Sequence, residues 1–446
     1  MIKRQAAAPA KTITAQEAAH LVTSGMWVDY GMCLGQPDDF DKALAGRVGD
    51  LQNLKIRNLL SMRPVAAIEA DPEGKHAYLI SLHFSGWDRR KGEAGRCSYM
   101  PLNLGEVNDY YRRFTHKPDI AVVRSPPMDS DGYFNFSAAN LWHREMIEAA
   151  KCVIVETAVG QPYVHGVRNG VHISEVDYVI PAKDAPSPQL PNPPPNDVDR
   201  AVARLIAAQV NDRDCLQIGI GAMPNAVCAL LLETGQKDLG VHTEMMVDGL
   251  ADLYHAGRIS GAHKQLDPGK IVYTFALGSQ RLYDALDHNH DLVCYPTDYT
   301  NMPHIIMQNR NMVSINNTTQ IDLQGQAASE SDGFRHVSGT GGQLQFVRGA
   351  YASPGGRSFI CLSSTYTKRG EPKSRIVLNL TQGNIVTTPR SDVMYVVTEY
   401  GMVNLKGKSV PERARALIDL AHPDFREDLE RAAHAHRLLP RAGVSP

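Results

Sequence analysis

Short runs of β-branched and aliphatic residues alternate along this chain with segments in which apolar positions recur at helical spacing. The strand-like runs of the first half are Trp27 to Tyr30, Lys55 to Leu60, Tyr78 to Phe84, Ile120 to Arg124 and Cys152 to Glu156. Those of the second half are Cys215 to Ile218, Val241 to Thr243, Ile271 to Phe275, Phe359 to Ser363 and Val393 to Thr398. Helices are punctuated between them. Thr14 and Glu17 form a capping-box pattern, and Gly25 is expected to end the helix they open. Near the C-terminus Ala414, Leu417, Ile418 and Ala421 make an i, i+3, i+4, i+7 stripe, with Pro411 suited to its first turn and Pro423 expected to stop it. This alternation predicts an α/β fold, with parallel or mixed sheets covered by helices. Ligands of such sheets bind beyond the carboxyl ends of the strands, so the residues directly after each strand are the first to read for chemistry.

Length adds a division. At 446 residues the chain exceeds what one hydrophobic core organises. Residues 183–197 hold six prolines in fifteen positions, a stiff, extended connector. The expected organisation is therefore an N-terminal domain over 1–182, this linker, and a C-terminal domain over 198–446. With 43% hydrophobic and 21% charged residues the composition is that of a soluble globular protein. The formal net charge of −2 offers no excess for a nucleic-acid backbone or an anionic membrane, and a small-molecule partner gains weight. The longest strongly apolar stretch, Ala226 to Leu232, is far short of a bilayer span, and Met1 to Ala10 has no apolar signal-peptide core. A cytoplasmic protein is expected. Its seven cysteines, with no CxxC, read as reduced core residues. The close pairs His288/His290 and His434/His436 have no third ligand nearby and read as solvated faces, so no metal is expected.

Four phrases carry candidate chemistry. Gly219-Ile-Gly-Ala-Met-Pro224 follows a strand and opens a helix expected over Pro224 to Glu233, closed by Gly235. Its glycines let backbone approach a ligand, and a helix N-terminus offers N–H groups to an anion or developing oxyanion. The alternative is a tight strand-to-helix turn. Ser338-Gly-Thr-Gly-Gly-Gln343 is a second glycine-rich loop, against a mobile surface turn. His242-Thr-Glu244 and Val397-Thr-Glu399 each put a carboxylate at a strand end, where a Glu in a cleft serves as nucleophile or base and one on a plain surface is merely ion-paired. There is no Walker lysine, no GxSxG elbow, no HExxH, and no PCxxC to turn HTE into a zinc-deaminase site.

Taken together, GIGAMPNAV (219–227), LGVHTEMMVDG (239–249), SGTGGQLQFVRGA (338–350) and VTEYGMVNLKGKS (397–409) followed by AHPDFRE (421–427) resemble the acetyl-CoA hydrolase/transferase family. These are glutamate-dependent CoA-transferases that include butyryl-CoA:acetate and 4-hydroxybutyrate enzymes. SPPMDSDGYFNFS (125–137) and VHISEVDYVI (171–180) extend the likeness into the first half, and WVDYG (27–31) with SGWDRR (85–90) leans towards the butyryl-CoA branch.

The resemblance implies two similar open α/β domains with the active site at their interface. It also implies ping-pong transfer of CoA between short-chain carboxylic acids of the butyryl, 4-hydroxybutyryl and acetyl type. Glu244 matches the nucleophile that carries the glutamyl-CoA thioester, and Glu399 a second active-site carboxylate. Gly219, Gly221, Ala222 and Met223, with Gly339, Gly341 and Gly342, match the segments that line the thioester. Lys408 is a candidate phosphate contact, against a solvated lysine. No tightly bound cofactor is implied, coenzyme A thioester being the substrate, and a homo-oligomer is expected. The family commonly reads GGQxDF where this chain has Gln345 in place of the acid, so any contact made by that Asp is in doubt here.

Chemistry agrees with the match. A carboxylate is a poor leaving group, and a third carboxylate on the protein relays CoA through an anhydride and then its own thioester. The nearest alternative is a hydrolase in which water attacks the same thioester. A catalytically silent acyl-CoA-binding protein would not need the nucleophile.

Overall fold

The structure, a computed structural model, describes residues 4–181, 186–190 and 193–440. Positions 183–185 and 191–192 of the proline-rich connector lie outside the described residues. The chain divides into two compact units. One comprises Met1–Pro191, Glu244–Val247 and Val272–Thr300, and the other Asn192–Thr243, Asp248–Ile271 and Asn301–Pro446. The first unit thus takes two passages from the second half of the sequence.

Its main sheet has eight strands. They lie in the order Lys11–Thr12, Tyr178–Pro181, Cys152–Thr157, Ile120–Ser125, Trp27–Tyr30, Leu54–Asn58, Ala77–Ser81 and Cys97–Tyr99, and every pairing is parallel. All six residues of Ile120–Ser125 are buried, as a sheet covered on both faces requires. Winding proceeds one way from Trp27–Tyr30 through the strands at 54, 77 and 97, and the other way through those at 120, 152 and 178. It reverses between Trp27–Tyr30 and Ile120–Ser125. The capping box of Thr14 and Glu17 is present on the helix Ala15–His20, but Leu21 closes that helix, and Gly25 (φ +82°) belongs to the turn beyond. The described part of the connector is fastened down. Ser187 Oγ donates to the Gly160 carbonyl at 3.1 Å, the Tyr283 hydroxyl to that of Pro188 at 2.7 Å, and the Leu190 N–H to that of Gly278 at 3.0 Å.

In the second unit the strands Gly240–His242, Cys215–Ile218, Met312–Asn317, Arg357–Cys361, Tyr395–Thr398 and Gly401–Asn404 lie side by side in that order. All are parallel except the last, which turns back on Tyr395–Thr398. Both units are therefore α/β layers, the fold class the alternation predicts. Met312–Asn317 was not among the expected strands. Its polar residues are satisfied sideways instead of by water: Ser314 Oγ donates to Gln217 Oε1 at 2.6 Å and Asn316 Nδ2 to the same oxygen at 3.1 Å. The helical stripe near the C-terminus forms Val410–Leu420, with Ala414, Leu417 and Ile418 buried in the core of this unit. Pro423 does not simply stop it. It occupies the first turn of a further helix, Pro423–Ala435, where its missing N–H costs nothing.

Candidate active site

Glu244 is reached where the chain passes from the second unit into the first, one residue after Thr243. It is half-buried. Its carbonyl accepts N–H groups from Thr274 at 3.0 Å and Phe275 at 3.3 Å, and the following Met245–Met246 pairs in parallel with Phe275–Ala276. That partner is held in turn: the Ala276 N–H donates to the Ala138 carbonyl at 2.8 Å and the Asn140 N–H to that of Thr274 at 3.0 Å. The backbone under Glu244 is thus the last rung of a ladder within the first unit.

Just after the strand Trp27–Tyr30, where winding reverses, lies a buried loop. Its Cys33 thiol is pushed far up by burial and by the neighbouring charges of Cys294 and Glu244. Glu244 is linked to this part of the first unit through backbone, since Thr274 donates to its carbonyl and accepts the Asn140 N–H. The loop is held by His143, wholly buried. Its Nε2 accepts the Met32 N–H at 3.1 Å and its Nδ1 faces the Asn140 carbonyl at 3.0 Å. A carbonyl only accepts, so Nδ1 carries the proton and the ring is neutral. Burial lowers its pKa to about 4.

The carboxyl edge of the second unit's sheet carries the turn after Cys215–Ile218 and Glu399, while Lys408, beyond the antiparallel strand Gly401–Asn404, lies at the opposite, amino edge. Gly221, at φ +120°, caps the helix Ala222–Thr234, two residues earlier in its start than expected, and Gly235 closes it in the left-handed conformation. The first-turn amides of Ala222 and Met223 have no partner within the helix, as at any helix start. Beside them Asn317 Nδ2 donates to the Ile220 carbonyl at 3.4 Å.

The second glycine loop is no surface turn. Gly339, Gly341 and Gly342 are all buried, Gly341 is at φ +53°, and Gly342 caps the helix Gln343–Ala352. Glu330, 4% exposed, anchors it: Oε2 accepts the Thr340 hydroxyl and Oε1 that of Thr387, each at 3.0 Å, while its carbonyl accepts the Val337 N–H at 2.8 Å. Gln345, where the family commonly has Asp, is buried with its amide 3.7 Å from Met302 Sδ.

Glu399 and Tyr400 form the two-residue turn between Tyr395–Thr398 and Gly401–Asn404, whose end residues Thr398 and Gly401 pair. Its carboxylate accepts the Ser364 N–H at 2.9 Å and the Ser364 hydroxyl at 2.5 Å. Ser364 and Glu330 were missed by sequence reasoning, because a lone Ser after a strand and a lone Glu in a loop carry no pattern. Lys408 lies in the turn before the Ser409-capped helix, half-buried, and its charge adds a little to the lowering of the Glu412 carboxyl by Ser409.

Among the described residues no group of three or more His, Cys, Asp or Glu side chains is placed to hold a metal ion. His288 stacks on Tyr163 at 4.9 Å and His290 on His165 at 3.9 Å between ring centres. All seven cysteines are free, six of them buried. No helix among the described residues is long and apolar enough to cross a membrane.

Comparison with known proteins gives these residues a context. The acetyl-CoA hydrolase/transferase N-terminal domain matches residues 2–191 and the C-terminal domain of the same family residues 278–433. The butyryl-CoA:acetate CoA-transferase of Anaerostipes caccae is 43% identical over 435 residues, 97% of this chain and 98% of that protein. The probable butyrate:acetyl-CoA coenzyme A-transferase of Syntrophomonas wolfei is 44% identical over 95% of each. The crystal structure of RipA from Yersinia pestis shares 37% identity and superposes with a TM-score of 0.88, covering 96% of this chain and 98% of that one. The chain belongs to the acetyl-CoA hydrolase/transferase family. Within it, the chain is an enzyme of the CoA-transferase class.

Proposed function

We propose that this enzyme moves CoA between short-chain carboxylic acids, of the butyryl, 4-hydroxybutyryl and acetyl type, through a thioester on Glu244. The observation that supports the reading is the backbone of Glu244, whose carbonyl accepts the Thr274 and Phe275 N–H groups and which leads into the paired strands Met245–Met246 and Phe275–Ala276. In the first half-reaction the Glu244 carboxylate attacks the thioester carbonyl and CoA leaves as thiolate, giving a mixed anhydride. The thiolate then attacks the glutamyl carbonyl, releasing the first acid and leaving glutamyl-CoA. The incoming acid reverses both steps. Amides at Gly219 to Met223 and Gly339 to Gly342 are suited to the tetrahedral oxyanions, at roughly 3 to 4 kcal/mol per donor in known cases. Glu399, with an oxygen on each of the two Ser364 donors, is held as a fixed charge that positions or orders substrate, a role distinct from attack.

The test is kinetic. The first acid leaves before the second enters, so initial-rate plots at several acceptor concentrations form parallel lines; intersecting lines overturn the relay. Free thiol followed without acceptor stays far below the transfer rate, and release at the full rate makes the enzyme a hydrolase.

A further inference from the structure

The hydrogen bonds that support Glu244 do not stop at Asn140. The Glu244 carbonyl accepts the Thr274 N–H at 3.0 Å, and the Thr274 carbonyl accepts the Asn140 N–H at 3.0 Å. The Asn140 carbonyl then accepts His143 Nδ1–H at 3.0 Å, and His143 Nε2 accepts the Met32 N–H at 3.1 Å. Four separate stretches of the sequence, all belonging to the first unit, are thereby joined through one imidazole. The joint has a direction. Asn140 presents an acceptor and Met32 a donor, and a neutral imidazole meets both from different corners of one rigid ring.

The surroundings are built to this ring. It stacks on Phe136, 5.0 Å between centres and 28° between planes. A Cβ at Gly35 would lie 2.8 Å from His143 Nε2 and one at Gly31 3.1 Å from it, so neither position has room for a side chain while the ring is there. Cys33 between them is at φ +52°, and Leu141 beside Asn140 at φ +47°. Residues with a Cβ adopt that region at a cost, and such positions gather where geometry serves function. The far side of the loop is braced as well. Gln161 Nε2 donates to the Leu34 carbonyl at 2.6 Å, and Gln36 Oε1 accepts the Met62 N–H at 2.9 Å. A residue that only filled volume would need no donor and acceptor at fixed places.

The loop from Met32 to Gln36 follows the strand Trp27–Tyr30, where winding of the sheet reverses, and open α/β sheets take their ligands at such a reversal. We propose that His143 is a positioning residue for the transfer reaction: its ring fixes this loop relative to the backbone that carries Glu244. This rests on the reading of Glu244 as the residue that takes up CoA. His143 touches no reacting atom. It sets how often the carboxylate and a ligand resting on the loop stand in reacting geometry, so its loss falls on kcat and leaves KM for acyl-CoA nearly as it was.

The test measures kcat, KM and the rate at which acyl-CoA without acceptor loads Glu244, the last by quenched mass spectrometry of the full-length enzyme. His143→Phe keeps a ring on Phe136 and removes donor and acceptor. Its kcat and loading rate should fall about 10- to 100-fold with KM within about twofold, the loss that a displacement of about 1 Å brings. His143→Gln, still able to accept the Met32 N–H, should regain most of this. Gly35→Ala should lower kcat in the wild type and add nothing in His143→Ala, where the ring it strikes is gone. Leu79→Ala, buried two strands away in the same sheet, controls for stability: the unfolding midpoint falls while kcat holds. A folded His143→Phe with unaltered kcat refutes the proposal, and so does a loss that Leu79→Ala shares or that His143→Gln does not relieve. If His143→Phe does not fold, Gly35→Ala decides, full kcat in that variant overturning the proposal. Turnover by a wild type that never carries label on Glu244 sinks the relay, whereas labelling at the wild-type rate in His143→Phe sinks the positioning role alone.

Discussion

Ser364 gives both its backbone N–H and its hydroxyl to the one carboxylate of Glu399, at 2.9 and 2.5 Å, from three residues beyond the end of the neighbouring parallel strand Arg357–Cys361. A glutamate in a two-residue turn would otherwise sample several rotamers. Two donors from one residue hold it to one. Ser364→Ala removes the hydroxyl and leaves the amide, so kcat should fall about tenfold while stability changes by about 1 kcal/mol. Steady-state rates and urea unfolding on the same sample check this. An unaltered kcat would leave the clamp structural only.

Glu244 should be the residue that becomes covalently modified. Incubation with acyl-CoA in the absence of acceptor, then borohydride reduction, is expected to alter the peptide containing Glu244 and abolish activity. Glu244→Ala should lose about 10³-fold or more in kcat. Mass spectrometry that finds the modification on Glu399 exchanges the two roles.

Gly341 combines burial with φ +53°, a conformation that costs a residue bearing Cβ roughly 1–2 kcal/mol. Gly341→Ala is expected to lower stability by about that amount, and Gly341→Val by more, because a β-branched side chain tolerates this region least. Activity should fall further than stability, since the loop's amides move with its backbone. Thermal unfolding and kcat measured together decide the point: full activity in a folded Gly341→Ala enzyme removes the loop from the chemistry.

His143 makes stability depend on pH. Its folded pKa of about 4 lies below the ordinary histidine value, so the unfolded chain takes up the proton first as pH falls. Stability contributed by the neutral ring is intact above about pH 6.5 and is lost as pH drops towards 4. Between pH 7 and pH 5 the loss is about 2 kcal/mol. In His143→Gln this part of the slope should vanish, while contributions from other groups, including the Asp41 carboxyl that burial raises to about 6, cancel in the comparison. Urea titrations of both proteins at the two pH values measure it; identical slopes would refute the assignment.

Much of this was readable along the chain, and for a physical reason. Strands buried on both faces, such as Ile120–Ser125 and Cys152–Thr157, are short apolar runs, and the chemistry of open sheets gathers at their ends. Met312–Asn317 escaped because Ser314 and Asn316 interrupt the run; their partner, Gln217, lies on another strand, and pairing across a sheet leaves no local trace. The membership of 244–247 and 272–300 in the first unit is hidden for the same reason. Both glycine loops were visible, but the second is anchored through Thr340 to Glu330, which local pattern does not single out.

Those two passages also set a schedule. When residue 191 has been joined, the first unit still lacks the strand Phe275–Ala276 and the backbone that carries Glu244. Roughly 110 more residues must be added before Thr300 is in place, about 5 to 20 s of synthesis. During that interval the buried faces destined to meet 272–300 have no cover, and a stop in synthesis between 192 and 243 leaves the first unit permanently unfinished.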